Sequence, residues 1–248
     1  MGTTTTQREP ELLGQTVVVI GGSSGIGLET ARRARAEGAR VIVTGRDAGR
    51  LQQTAKELDA RTSAFDASDP AALERFFREL PTPFDHLLVT AGRPYYAPQA
   101  EMDFEEVRHV LDSDLLLPLR LARLAIGKVR PGGTLVFMGG TGARRPAVGL
   151  SVISALSVGM PALVANLAVE LAPIRVNLIA AGFVDTPLSA RLLGDQLEAR
   201  RRHLRETLPI RRVVGPSDVA ALAVHLMVNT ALTGATYDID GGQQLVDG

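Results

Sequence analysis

Val17-Val18-Val19-Ile20-Gly21-Gly22-Ser23-Ser24-Gly25-Ile26-Gly27 is the stretch whose reading decides the fold. Four β-branched residues in succession suit a strand buried on both faces. They run straight into Gly21, Gly25 and Gly27, and helical spacing then extends from about residue 25 to 37, where Gly38 stops it. In such a strand–loop–helix unit each glycine has a task. One permits the tight turn, one lets the backbone approach a pyrophosphate, and one lets helix and strand pack closely. The start of the helix offers unpaired N–H groups and a positive dipole end to phosphate. The competing reading is of glycines that merely make a turn.

Outward from this unit the alternation repeats. Residues 41–43 precede a helical segment over 49–58. The weaker strand 62–65 precedes a helix over 70–80, with Asp69 as N-cap and Pro70 at the first helical position. Residues 87–89 lead into a long helical pattern over 104–126 that contains Pro118. Strand 134–138 precedes a helix over 149–171, strand 175–180 follows, and a helix over 218–227 capped by Ser217 leads to strand 236–239. Apolar strands alternating with amphipathic helices indicate a doubly wound parallel sheet, a single α/β domain of Rossmann type. The predicted division is a flexible N-terminal tail over 1–14 and one domain over 15–248. An Arg-rich segment over 185–215 reads as a mobile lid, although for most of its arginines a solvated helix is the better reading.

Composition excludes several classes. The 248 residues carry 27 basic and 27 acidic side chains, a net charge of +0, which argues against a surface for nucleic acid. With no cysteine, disulfides and thiolate metal sites are ruled out, and no histidine pair has metal spacing. The first 14 residues lack an apolar signal core, and Gly2 with Thr6 makes only a short myristoylation pattern. Apolar stretches such as 148–171 are broken by Ser, Asn, Gly and Pro, so no membrane span is expected. A soluble, cytoplasmic protein fits this pattern.

The end of the second strand decides between the two nicotinamide dinucleotides. A carboxylate there binds the ribose 2′-OH of NAD, whereas an arginine binds the 2′-phosphate of NADP. Here the chain reads Thr44-Gly45-Arg46, with no acid before Asp47. Arg46 can fork onto a phosphate, and Ser23 can add a hydroxyl. The expectation is NADP(H), with a surface arginine at a turn as the alternative.

With these pieces in place the sequence resembles the short-chain dehydrogenase/reductase family over nearly its whole length. The likeness rests on residues 21–27, Asp66-Ala67, Thr90-Ala91-Gly92, Ala168-Val169-Glu170-Leu171, Ile174-Arg175-Val176-Asn177, Ala181-Gly182-Phe183-Val184-Asp185-Thr186 and Asp240-Gly241-Gly242, in that order. It implies a seven-stranded sheet, a nicotinamide cofactor, and a homodimer or homotetramer. It further implies that Gly21, Ser23, Ser24, Gly25, Ile26 and Gly27 meet phosphate and ribose. Asp66 and Ala67 would meet the adenine, Ala91 and Gly92 its ribose, and Gly182, Val184 and Thr186 would lie by the nicotinamide.

The resemblance fails at the catalytic positions. The family's Asn, Ser, Tyr and Lys fall on Asp114, Gly140, Ile153 and Ser157. The three tyrosines are Tyr95, Tyr96 and Tyr237, and the two lysines are Lys56 and Lys128, so no Tyr-x-x-x-Lys exists in another frame. Asp114 is the candidate substitute in proton transfer; a hydrogen-bonded or partly solvated acid is its alternative. Tyr95 or Tyr96 could supply a phenol or simply wall a pocket. Arg144 and Arg145 could bind an anion or lie in solvated loop. Pro161, inside the helix that should carry the Tyr and Lys, is expected to distort it. Three readings follow: an NADP(H)-dependent oxidoreductase of a carbonyl or alcohol with a substituted site, a non-catalytic NADP(H) sensor or partner subunit, or an enzyme of another class using the same pocket.

Overall fold

The computed structural model describes residues 9–246. Its elements are β1 (Thr16–Ile20), α1 (Gly25–Ala36), β2 (Arg40–Gly45), α2 (Ala48–Leu58), β3 (Arg61–Ala64), α3 (Pro70–Glu79), β4 (Phe84–Val89), α4 (Phe104–Leu111), α5 (Leu117–Ala125), β5 (Val129–Gly140), α6 (Ser151–Glu170), β6 (Arg175–Ala181), α7 (Pro187–Leu193), α8 (Leu197–Thr207), α9 (Pro216–Val228) and β7 (Thr236–Ile239). The strands make one parallel sheet in the order β3-β2-β1-β4-β5-β6-β7. Alternate residues of β1 feed opposite cores. Val17 and Val19 pack with Ala31 and Ala34 of α1 and Val219 and Ala223 of α9. Val18 and Ile20 pack with Leu73 and Phe77 of α3 and Leu121 of α5. Each such burial contributes about 1.5–3 kcal/mol. The single Rossmann-type domain is as the alternation implies.

The strand order reverses between β1 and β4, so the loops leaving their carboxyl ends part there and open a crevice. Asp69 caps α3 through Oδ1, which accepts from the N–H groups of Ala71 and Ala72 at 2.9 and 3.2 Å. That helix start matches the sequence reading.

Other elements differ from it. The tail ends sooner: Leu12 is fully buried, its N–H donating to Glu37 O at 2.9 Å, so the domain takes in the turn before β1. One leucine with an apolar slot beside α1 outweighs the polarity of its neighbours. Residues 1–8, with the Gly2 and Thr6 pattern, lie outside the described residues. The long helix over 104–126 is three pieces, α4, a π-turn over Asp112–Leu116, and α5. Pro118 has no N–H for the carbonyl of Asp114, and the N–H of Leu117 reaches back to Asp112 O instead. Conversely, α6 runs unbroken through Pro161, because Met160, Val164 and Leu167 pack into the core on both sides of the missing bond. Gly215, not Ser217, caps α9, its N–H donating to Asp218 Oδ2 at 2.9 Å. His86 is buried in β4, with Nε2 2.6 Å from Gln15 Oε1.

Candidate cofactor and active site

The glycine loop owes its shape to close approach. Gly21 has φ +90°, and a Cβ there would lie 2.8 Å from Ala91 N. A Cβ on Gly27 would lie 2.6 Å from both Gly21 O and Thr90 Oγ1. Thr90, unremarked as a functional residue in the sequence, donates to Gly21 O at 3.0 Å and ties the loop after β1 to the loop after β4. Ser24 is the N-cap of α1, yet its side chain caps nothing and the first turn carries no acid. The helix start is thus left for an outside anion. Gly25, at φ +55°, faces Thr186 across the crevice, 3.6 Å from where its Cβ would be.

At the end of β2 the local competition between charges is resolved. Asp47 is spent as the N-cap of α2, its Oδ1 accepting from Arg50 N–H at 3.0 Å while its other oxygen meets the Arg50 guanidinium at 3.4 Å. Arg46 is left with its side chain 82% exposed, held only by Asp66 at 4.0 Å. Asp66 accepts from Ser68 N–H and Oγ at 2.9 and 2.7 Å. Burial opposes its ionisation, but these bonds and the Arg46 charge outweigh it and hold the carboxyl below the ordinary range.

The start of the segment over 185–215 lies against this crevice. Val184 bridges to Val214, and Asp185 N–H donates to Val214 O at 2.9 Å. Thr186 caps α7 in a reciprocal pair with Ser189. Arg201 of α8 reaches back to Asp185 with two bonds of 2.9 and 2.6 Å, a latch the sequence did not single out. Gly182 has a packing reason of its own: its Cβ would lie 2.6 Å from that of Asp240. Arg144 pairs with Asp238 and Arg145 bonds Val246 O, so both hold the C-terminal segment rather than standing open to an anion.

Asp114 sits in the π-turn, where Ser113 Oγ is 2.6 Å from its Oδ1 and the position of a Gly92 Cβ is 2.9 Å away. Burial pushes its carboxyl up from the ordinary aspartate range, against the opposing Ser113 bond. Burial first, and then the Asp114 charge, push the Tyr96 phenol up as well. Tyr95 is engaged differently: its Oη accepts the N–H of Asp103 at 2.7 Å, where α4 begins. Gly140 ends β5 with room to spare, a Cβ there meeting nothing nearer than Ala181 O at 3.8 Å. Ile153 and Ser157 lie in α6, Ser157 buried at 7% exposure. Thr141, beside Gly140, has a buried hydroxyl without a protein partner. Among the described residues no cluster of acids and histidines has the makings of a metal site.

A family model described as enoyl-(acyl carrier protein) reductase matches residues 20–244. The chain belongs to the short-chain dehydrogenase/reductase family. It is 29% identical to the short-chain dehydrogenase/reductase ATR9 of Stachybotrys chlorohalonatus, over 94% of this chain and 98% of that one. A putative ketoacyl reductase of Streptomyces coelicolor is 31% identical over 92% and 96% of the two chains. The crystal structure of BdcA in complex with NADPH superposes with a TM-score of 0.83 at 26% identity, covering 93% of this chain and 95% of that one. The fold and the crevice are therefore those of a family of nicotinamide-dependent oxidoreductases.

Proposed function

We propose that this member binds NADP(H) and acts as an oxidoreductase on a carbonyl or alcohol substrate through a site whose usual tetrad is replaced. One observation carries the cofactor choice: the only acid at the end of β2, Asp47, is consumed as a helix cap, which leaves Arg46 for a 2′-phosphate. The helix start of α1 and the glycines that admit no Cβ fit a pyrophosphate. When bound, the cofactor would supply hydride. Ser23, Ser24 and Ile26 would hold its phosphates and ribose, Asp66, Ala67, Ala91 and Gly92 its adenosine half, and Gly182, Val184 and Thr186 its nicotinamide end. Charge-assisted bonds of the Arg46 type contribute about 1.5–3 kcal/mol. Arg46→Ala should therefore weaken NADPH binding roughly 10- to 100-fold and leave NADH binding unchanged. Equal loss for both cofactors, read by fluorescence titration, refutes the assignment.

A second reading, a non-catalytic NADP(H) sensor or a partner subunit of an active relative, is favoured by α6, which carries no ionisable side chain before Glu170. Bringing a phenol from a pKa of about 10 to near 7 takes about 4 kcal/mol, and neither Ile153 nor Ser157 can provide it. Tight NADPH binding without oxidation across a broad carbonyl panel selects this second reading. Assembly is part of the proposal. The apolar groove of about 420 Å³ between α4, the π-turn and α6, with Leu111, Val152 and Met160 in its walls, is the face we assign to a second copy. In sequence α6 is apolar enough to cross a membrane, but here it packs on β6 within the domain. A monomer in sedimentation experiments at micromolar concentration contradicts this assembly.

A further inference from the structure

We propose that Asp114 and Ser113 form the proton-donating pair of this site, Asp114 passing a proton to the oxygen of a carbonyl substrate while Ser113 holds its carboxyl in place. The inference rests on the NADP(H)-dependent reading above and names the group that works opposite the cofactor.

The hydrogen-bond count carries it. Ser113 Oγ has one hydrogen and two acceptors within reach, Asp114 Oδ1 at 2.6 Å and Val110 O at 3.2 Å. With Asp114 ionised, the hydroxyl must abandon one of them. With a proton on Oδ1, the carboxyl donates to Ser113 and Ser113 donates to Val110 O, so both contacts are made. The same serine therefore suits both states. It turns its hydrogen to the carboxylate once the proton has left, and back to Val110 O when a proton returns.

Among the described residues no cation pairs with Asp114. Of its helical neighbours, Asp112 is paired with Arg120, and Glu105 and Glu106 with Arg108 and Arg93. From the loop after β4 comes the uncharged phenol of Tyr96, which the Asp114 charge helps to raise, and Tyr95 is held at Asp103. His109, on α4, acts on Asp66. The helix packed against the π-turn, α6, brings nothing ionisable before Glu170. An aspartate so placed is kept neutral more readily than a surface carboxylate, the condition a general acid needs near neutral pH. The π-turn itself, produced by Pro118, is what sets Asp114 facing Gly92 in the loop after β4.

The step balances. The carbonyl carbon gains hydride from the reduced nicotinamide, its π electrons move to oxygen, and that oxygen takes the proton of Asp114. The substrate is reduced to an alcohol and the cofactor is oxidised. Asp114, left as the carboxylate, recovers a proton from water.

The test combines a titration with kinetics. In protein labelled with ¹³C at aspartate carboxyls, the resonance absent from Asp114→Asn should titrate above the ordinary aspartate value of about 3.9. Asp114→Asn, close to isosteric, should keep NADPH affinity while lowering carbonyl turnover about 10²- to 10⁴-fold. A midpoint in the ordinary range overturns the proposal whatever the turnover, as does an Asp114→Asn enzyme within tenfold of wild type on the same carbonyl. A wild type that binds no NADPH overturns the underlying reading instead, which separates the two failures.

Discussion

The two ends of the sheet treat polar groups in opposite ways. At the amino end most of them are matched. Asp85 Oδ2 accepts the N–H of Thr16 at 2.8 Å, and its Oδ1 meets Arg130 at 3.0 Å. Arg175 donates to the carbonyls of Gly132, Leu226, Met227, Asn229 and Leu232, closing the carboxyl end of α9. At the carboxyl end the groups stand open: an uncapped helix start, an almost free Arg46, an aspartate with no cation, and a hydroxyl on Thr141 without a partner. A buried polar group without a partner destabilises the fold by about 1–3 kcal/mol. A fold that matches most polar groups at one end, His86 Nδ1 being the exception, and leaves several open at the other suits the second end to a ligand.

That contrast can be broken by experiment. The largest effect should come from acid at the amino end. Burial, with the charges of Arg175 and Arg130 adding to it, depresses the pKa of His86 to about 3. Because the folded value lies below the ordinary 6.5, its stabilisation is complete above pH 6.5, declines as pH falls below that, and is gone near pH 3. The loss should approach at most about 5 kcal/mol. Urea melts between pH 7 and 3 should show it, and His86→Asn should flatten that limb while leaving NADPH affinity intact. A wild type equally stable at pH 7 and 4 contradicts a neutral buried histidine.

At the carboxyl end, Gly27→Ala should remove cofactor binding, at least about 100-fold, since a displacement of about 1 Å is enough to lose that much. The overpacking should also reduce stability by about 1–3 kcal/mol. Gly140→Ser is its counterpart. With 3.8 Å of clearance it should change stability by no more than about 0.5 kcal/mol. If both substitutions destabilise alike, the carboxyl end is packed as tightly as the core and the contrast dissolves. An intermediate effect comes from a helix cap on the carboxyl side, away from the glycine loop. Asp69→Ala removes the cap of α3, which should lower stability by about 1 kcal/mol and Tm by about 2–4 °C, with cofactor affinity unchanged.

Much of the cofactor half was legible in the sequence because backbone binds the ligand there. Gly21 and Gly27 are fixed by contacts that exclude a Cβ, and such positions announce themselves as glycine. The catalytic half was legible only as a departure. That α6 has neither Tyr nor Lys is plain to read, but the role of Ser113 is not, since a serine in a helical pattern has no signature. The latch between Arg201 and Asp185 was equally hidden among seven arginines in the segment over 185–215. Arg144 and Arg145, read as open to an anion or to solvent, turn out to hold residues about a hundred positions away, and no local pattern encodes that pairing.

The order of strands and helices, the glycine loop and the absence of Tyr and Lys from α6 were determined by the sequence alone, since periodicity and the absence of a side chain are local facts. Three matters waited on the tertiary structure: which acid is consumed at the end of β2, where the helix over 104–126 breaks, and which carboxylate is left without a cation. Each is a competition among neighbouring groups for the same partner, and only the folded geometry decides which one is within reach. Asp47 was won by Arg50, Asp112 by Arg120, and Asp114 by no cation at all.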